Sequence, residues 1–171
     1  ITAVYSSAPS ESERRHPAAV PDSAPSIALD LGRVELAGIS ILIVDDQPDV
    51  RALVQRLLED NQASVTIASS AAEALAHLSS RRFDLLVSDI GMPDQDGFFL
   101  IRKVRALAAD HGGNIPAIAL TAYARAEDRL KVLRSGYKMH LVEPIEPAEL
   151  LTVVASLVGR AMGRLPGQPL S

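Results

Sequence analysis

From Ile39 onward, short apolar runs alternate with stretches in which apolar positions recur at every third or fourth residue. The first pattern is that of a buried strand and the second that of an amphipathic helix, and their alternation predicts βαβ units around a parallel sheet. Five rounds can be followed between Ile39 and Leu157. The run Ile39 to Val44 is almost continuously apolar, as a strand covered on both faces requires. Pro48 suits the first position of a helix, and Val50, Leu53, Val54, Leu57 and Leu58 fall on one helical stripe. A second strand is predicted over Val65 to Ala68, and Ser70 with Glu73 has capping-box spacing for a helix that turns Ala71, Ala74, Leu75 and Leu78 inward. The third strand runs Leu85 to Asp89, and the turn Ile90 to Gly97 leads into a helix carrying Ile101, Val104 and Leu107. Ala117 to Thr121 forms the fourth strand and Ala126 to Ser135 a helix closed by Gly136. His140 to Val142 is a short fifth strand, followed from near Pro147 by a helix that buries Leu150, Val153, Val154 and Leu157.

The flanks read differently. Residues 1–37 scatter Pro9, Pro17, Pro21 and Pro25 among serines and hold few large apolar side chains, so they cannot bury enough surface to offset the entropy of ordering. The expected organisation is a disordered linker or tail over 1–37, one folded domain over 38–160 and a frayed tail over 161–171. Within the first of these, Leu29 to Leu36 offers three leucines and Val34 for docking on the domain.

A chain of 171 residues, 47% hydrophobic, has material for one core of ordinary size. The absence of cysteine excludes a disulfide scaffold, a thiol nucleophile and thiolate metal sites. A net charge of −4 and a pI near 5.5 argue against nucleic acid or anionic lipid as a direct partner. Tyr5, Tyr123 and Tyr137 form no stacking platform with basic residues. No apolar run approaches the roughly 20 residues of a membrane span, so a cytoplasmic protein without membrane contact is expected. Because the chain opens on Ile1 rather than Met, it is expected to be cut from a longer polypeptide or otherwise processed.

In an open α/β sheet, ligands bind beyond the carboxyl ends of the strands, so the residues at which each strand stops are the informative ones. Strand one stops at Asp45 and Asp46, strand three at Asp89, strand four at Thr121 and strand five at Glu143. Right-handed crossovers bring these ends to one edge of the sheet. A single aspartate after a strand is ordinarily a turn former or helix cap, and it is the joint placement of Asp45, Asp46 and Asp89 that points to chemistry. Carboxylates sharing a small volume raise one another's pKa unless a cation joins them, and an all-oxygen set suits Mg2+ or Mn2+. A hard ion held in this way keeps waters and a phosphate oxygen in its shell. That points to phosphoryl chemistry with an aspartate as nucleophile and the Thr121 hydroxyl as a phosphoryl contact.

The stretches Ile41-Leu-Ile-Val-Asp-Asp46, Leu85-Leu-Val-Ser-Asp-Ile-Gly-Met-Pro-Asp-Gln-Asp-Gly97 and Ile118-Ala-Leu-Thr-Ala122 together resemble the response-regulator (CheY-like) receiver domain of two-component signalling, over about residues 39–160. The resemblance implies a doubly wound, flavodoxin-like five-stranded parallel sheet in the order 2-1-3-4-5, with helices on both faces. It implies that Asp89 is the phosphoacceptor, that Asp45, Asp46, Asp89 and the backbone carbonyl of Gly91 hold Mg2+, and that Thr121 contacts the phosphoryl group. The partners it implies are a histidine kinase or phosphotransfer protein and a downstream protein target. A polar, proline-bearing start followed by a receiver fits the C-terminal end of a hybrid sensor histidine kinase.

Two positions depart from the family pattern. Receivers carry a lysine before the proline that follows strand five, where this chain has Glu143 and Pro144. The swap replaces a positive with a negative charge at the reaction centre, and like charges ~4 Å apart at an effective dielectric of about 20 repel by roughly 4 kcal/mol. Arg125 and Lys138 are the nearby cations in sequence, and Glu143 has the alternative of turning outward. The resemblance also implies a cis peptide before Pro144. At the family's aromatic switch position on strand five stands His140. Two functions therefore compete: a phosphoaccepting receiver, and a pseudo-receiver that keeps the fold as a docking module because Glu143 replaces the lysine. An independent enzyme finds little support, since no Gly-rich phosphate loop follows strand one and no nucleophile elbow is present. At most, self-phosphorylation and dephosphorylation at Asp89 are expected.

Overall fold

The computed structural model describes residues 34–122 and 125–159. Most of the segment expected to be a disordered start, the whole of the expected frayed end, and Tyr5 and Tyr123 lie outside the described residues. The elements run β1 (Ser40–Val44), α1 (Pro48–Asp60), β2 (Ser64–Ala68), α2 (Ala71–Ser80), β3 (Leu85–Asp89), α3 (Gly97–Arg105), a 3-10 turn (Ala109–His111), β4 (Ala117–Thr121), α4 (Ala126–Ser135), β5 (Met139–Val142) and α5 (Pro147–Leu157). All strand pairs are parallel and the sheet order is β2-β1-β3-β4-β5.

The near-continuous apolar strands follow from burial on both faces. Ile41, Ile43, Leu85, Val87, Ile118, Leu120 and Leu141 pack with Val54, Leu58, Leu150 and Val154 of α1 and α5. The alternate residues Leu42, Val44, Leu86, Ala117 and Ala119 pack with Ala74, Leu78, Leu100, Ile101 and Val104 of α2 and α3. The first core also takes in Val34 and Leu36, ahead of residue 38. Leu36 is fully buried and its N–H donates to the Asn61 carbonyl at 2.8 Å, so this much of the expected docking is present. Two stripe residues are less buried than the periodicity predicts. Leu53 sits on the flank of α1 and is 45% exposed, and Leu107 falls beyond the end of α3 and is 37% exposed.

Helix ends follow local chemistry. The Ser70 hydroxyl accepts from the Glu73 N–H at 3.1 Å, while the Glu73 carboxylate reaches back to the Ser69 N–H at 2.7 Å, one residue earlier than in a simple capping box. Gly136 closes α4 at φ +126, a backbone setting that side chains disfavour. Among the described residues no helix is long and apolar enough to cross a membrane.

Candidate functional site

Strand register places the site. Val44 is level with Ser88, which sets Asp45 beside Asp89; Asp89 is level with Leu120, and Thr121 with Val142, which sets Glu143 just beyond the same edge. Among the described residues the buried polar side chains are Asp45, Ser88, Asp89 and Thr121. Three of them are residues that the sequence singled out.

The carboxylates are poorly satisfied for their burial. Asp45 is 1% exposed; its Oδ1 accepts the Gln47 N–H at 2.8 Å, and its Oδ2 is buried without a hydrogen-bond partner. Asp89 is 7% exposed and its Oδ1 accepts the Gly91 N–H at 3.1 Å. One carboxylate oxygen each from Asp45, Asp89 and Glu143 lie within 4.8 Å of one another. The Glu143 side chain thus turns toward the cluster rather than outward. Its N–H donates to the Thr121 carbonyl at 2.8 Å, and the peptide to Pro144 is cis.

Burial, then the charges of Asp89, Glu143 and Asp46, push the Asp45 carboxyl up to about 7, against the Gln47 amide that lowers it. Asp89 is pushed up by burial and then by Asp46, and Glu143 by burial and then by Asp89 and Asp46. Half-buried Asp46 thus belongs to the same electrostatic cluster. Arg125 and Lys138 are exposed, and neither forms an ion pair with these carboxylates among the described residues. An unpartnered buried oxygen inside an all-oxygen anionic set fits a hard divalent cation. His140, half-buried on β5 opposite Ala119, has its proton affinity lowered by burial and then by Arg129, against Glu149.

The loop after β3 shows why its motif has these residue types. Ile90 and Met92 are buried, Asp94 takes φ +63, and the Asp96 carboxylate caps α3 by accepting the Phe99 N–H at 2.9 Å. A Cβ at Gly97 would lie 2.6 Å from the Asp89 carbonyl oxygen and 2.8 Å from the Ile90 Cα, so only glycine lets α3 begin this close to β3. Two supporting residues carried no signal in the sequence reading. The Arg51 guanidinium donates to the Asp45 backbone carbonyl at 2.7 Å, and the buried Tyr137 hydroxyl donates to the Gly97 carbonyl at 2.8 Å. The latter pairs residues 40 positions apart, which no local pattern reveals.

A family model for the response regulator receiver domain matches residues 41–155. The chain belongs to the receiver family. This receiver is 52% identical over 119 residues to an uncharacterised 14.6 kDa protein of the sodA1 3' region in Leptolyngbya boryana, covering 70% of this chain and 89% of that one. It is 37% identical to the response regulator Rre1 of Synechocystis, over 71% of this chain and 52% of the relative. It is 36% identical to the sensor histidine kinase GacS of Pseudomonas protegens, over 71% of this chain and 13% of the kinase. The receiver thus spans most of the first protein, about half of the second and a small part of the third. Among solved structures it is similar to the receiver domain of a sensor histidine kinase from Pseudomonas aeruginosa PAO1, described with a magnesium ion coordinated in the active-site cleft. That likeness has a TM-score of 0.65 and 31% identity, over 72% of this chain and 99% of the other. Receiver domains bind Mg2+ at the acidic pocket and interact with histidine kinases or phosphotransfer proteins.

Proposed function

We propose that this receiver accepts a phosphoryl group on Asp89 from a histidine kinase or phosphotransfer protein and thereby switches a surface read by a downstream protein. The observation that carries this reading is the pairing of a buried Asp89 with an unpartnered Asp45 Oδ2 at one sheet edge. A carboxylate oxygen of Asp89 attacks the phosphorus of a phosphohistidine; the P–N bond breaks and the imidazole keeps its electron pair. Asp45, Asp46, Asp89 and the Gly91 carbonyl would hold Mg2+, or Mn2+ in its place. When bound, the ion supplies positive charge for the phosphoryl oxygens. Asp45 and Asp46 would orient the ion, the Gly91 N–H fixes the rotamer of Asp89, and the burial of Asp89 limits water at the acyl phosphate. Thr121 and His140, on adjacent strands, are the switch pair. The domain acts in the cytoplasm, and its likeness to the receiver segment of a sensor kinase supports a place in a hybrid kinase.

A second reading is favoured by one observation: Glu143 points a negative charge at Asp89 where the family has lysine. On that reading the fold is a docking module that is not phosphorylated. Amide-resolved NMR with Mg2+ and then beryllofluoride, a mimic of the aspartyl phosphate, separates the two. The phosphoacceptor reading expects shifts around Asp89, Thr121 and β5 in the native chain that Asp89→Asn abolishes. Response in Glu143→Lys alone refutes it and leaves the docking module.

A further inference from the structure

We propose that Glu143 is itself a ligand of the divalent cation, so that the ion ties the carboxyl end of β5 to those of β1 and β3, where the family lysine would instead reach a phosphoryl oxygen. This rests on reading the Asp45–Asp89 edge as a metal site, and it adds a ligand that the family pattern does not supply.

Three observations carry it. First, oxygens on adjacent or opposite positions of a small octahedral ion are about 3 to 4 Å apart, given metal–oxygen bonds of about 2.1 Å. The oxygens of Asp45, Asp89 and Glu143 already lie within 4.8 Å of one another, so small side-chain shifts close them on one ion. Second, Asp45 is 1% exposed and its Oδ2 has no donor, which leaves a buried lone pair in the group that a cation would engage. Third, no positive side chain compensates the cluster among the described residues. The Arg51 guanidinium donates to the Asp45 backbone carbonyl rather than to a carboxylate. With Asp45, Asp46, Asp89 and Glu143 ionised the site holds four negative charges, where a lysine in place of Glu143 would leave a net of two. The extra charge favours a cation and opposes a dianionic phosphoryl group. The donor set, oxygen throughout, selects a hard ion: Mg2+, Mn2+ or Ca2+.

The consequence is regulatory. In a lysine-bearing receiver the pull on β5 comes from the phosphoryl group, whereas here cation occupancy alone draws Glu143 and the β5 end toward Asp89.

Mn2+ binding to the whole chain, followed by the electron paramagnetic resonance signal of the free ion, tests this on the native protein, Glu143→Gln and Glu143→Lys, with Mg2+ and Ca2+ as competitors. Amide NMR of Leu141 and Val142 during a Mg2+ titration gives a second readout. Removing a full charge at ligand distance is expected to weaken Mn2+ binding about tenfold or more in Glu143→Gln, and further in Glu143→Lys. Mg2+ is expected to move the β5 amides in the native chain and not in Glu143→Gln. Thermal melts in chelator, where Glu143→Gln should be at least as stable as native because a repulsion is gone, exclude misfolding as the cause. Equal Mn2+ affinity in native and Glu143→Gln overturns the proposal, and if beryllofluoride still engages Asp89 the phosphoacceptor reading survives it. Weakened Mn2+ binding with no beryllofluoride response supports the proposal and refutes the phosphoacceptor reading. Absence of Mn2+ binding by the native chain overturns this ligand assignment together with the metal site on which it rests.

Discussion

Asp45→Asn is expected to stabilise the metal-free domain, and the size and pH dependence of the gain follow from the site. The variant keeps an oxygen to accept the Gln47 N–H and puts an NH2 donor where Oδ2 lies without a partner, in a side chain clustered with the carboxylates of Asp89 and Glu143. Burial above all, then those neighbouring charges, lifts the native Asp45 carboxyl from an ordinary 3.8 to about 7. At about 1.4 kcal/mol per pKa unit, a shift of about 3 units corresponds to a ceiling of roughly 4 kcal/mol, and relaxation and water entry bring the expected gain to about 2 kcal/mol. The sign is fixed by linkage. Below about pH 4 the carboxyl is protonated in both folded and unfolded chains, and its charge costs nothing. Between about pH 4 and pH 7 the unfolded chain releases a proton that the folded chain retains, so native stability falls as pH rises, and the deficit is complete above about pH 7. Asparagine has no such titration. Urea unfolding followed by circular dichroism in chelator, from about pH 5 to about pH 8, should show the variant's advantage widening to about pH 7 and then levelling. Saturating Mg2+ should reverse the order, since an ion at 100 times its Kd adds about 2.7 kcal/mol to the protein that binds it. A variant no more stable than native at about pH 8, or an advantage independent of pH, would refute the reasoning.

Tyr137→Phe deletes the donor to the Gly97 carbonyl and is expected to cost about 1–2 kcal/mol in urea unfolding, with faster hydrogen exchange in the loop after β3. Leu36→Ala empties a fully buried position in the first core and is expected to cost about 2–5 kcal/mol; a loss below about 0.5 kcal/mol would place Leu36 outside the cooperative fold.

What the sequence reveals here depends on how local the cause is. Strands buried on both faces announce themselves within one residue, because every position from Ile41 to Val44 has to be apolar whichever sheet face it meets. Stripe edges are harder: Leu53 and Leu107 have the right spacing, but their burial is decided by where neighbouring elements end. The clustering of Asp45, Asp89 and Glu143 is inferable from strand ends once parallel pairing is assumed, whereas the sheet order came from resemblance to a family. The direction of the Glu143 side chain, toward Asp45 and Asp89, is beyond any local pattern, since those residues lie on other strand ends. Tyr137 shows the same limit, since its hydroxyl bonds a carbonyl that only the fold brings near.

Position 143 separates the scaffold from the chemistry at the level of atoms. The β5 end is held by the Glu143 N–H on the Thr121 carbonyl, by parallel pairing of Ile118 to Thr121 with Met139 to Val142, and by Leu141 in the core, 2% exposed. Each of these uses a backbone group or an apolar neighbour, and none uses the side chain at 143. Exchanging lysine for glutamate therefore leaves the sheet intact while changing the charge of the site by two units. The fold and the family motif accordingly survive a substitution that reverses the sign of the side-chain charge at this strand end. Membership of the family thus argues for the position of every group at this edge, and the sign of the charge at 143 has to be argued from the residue itself.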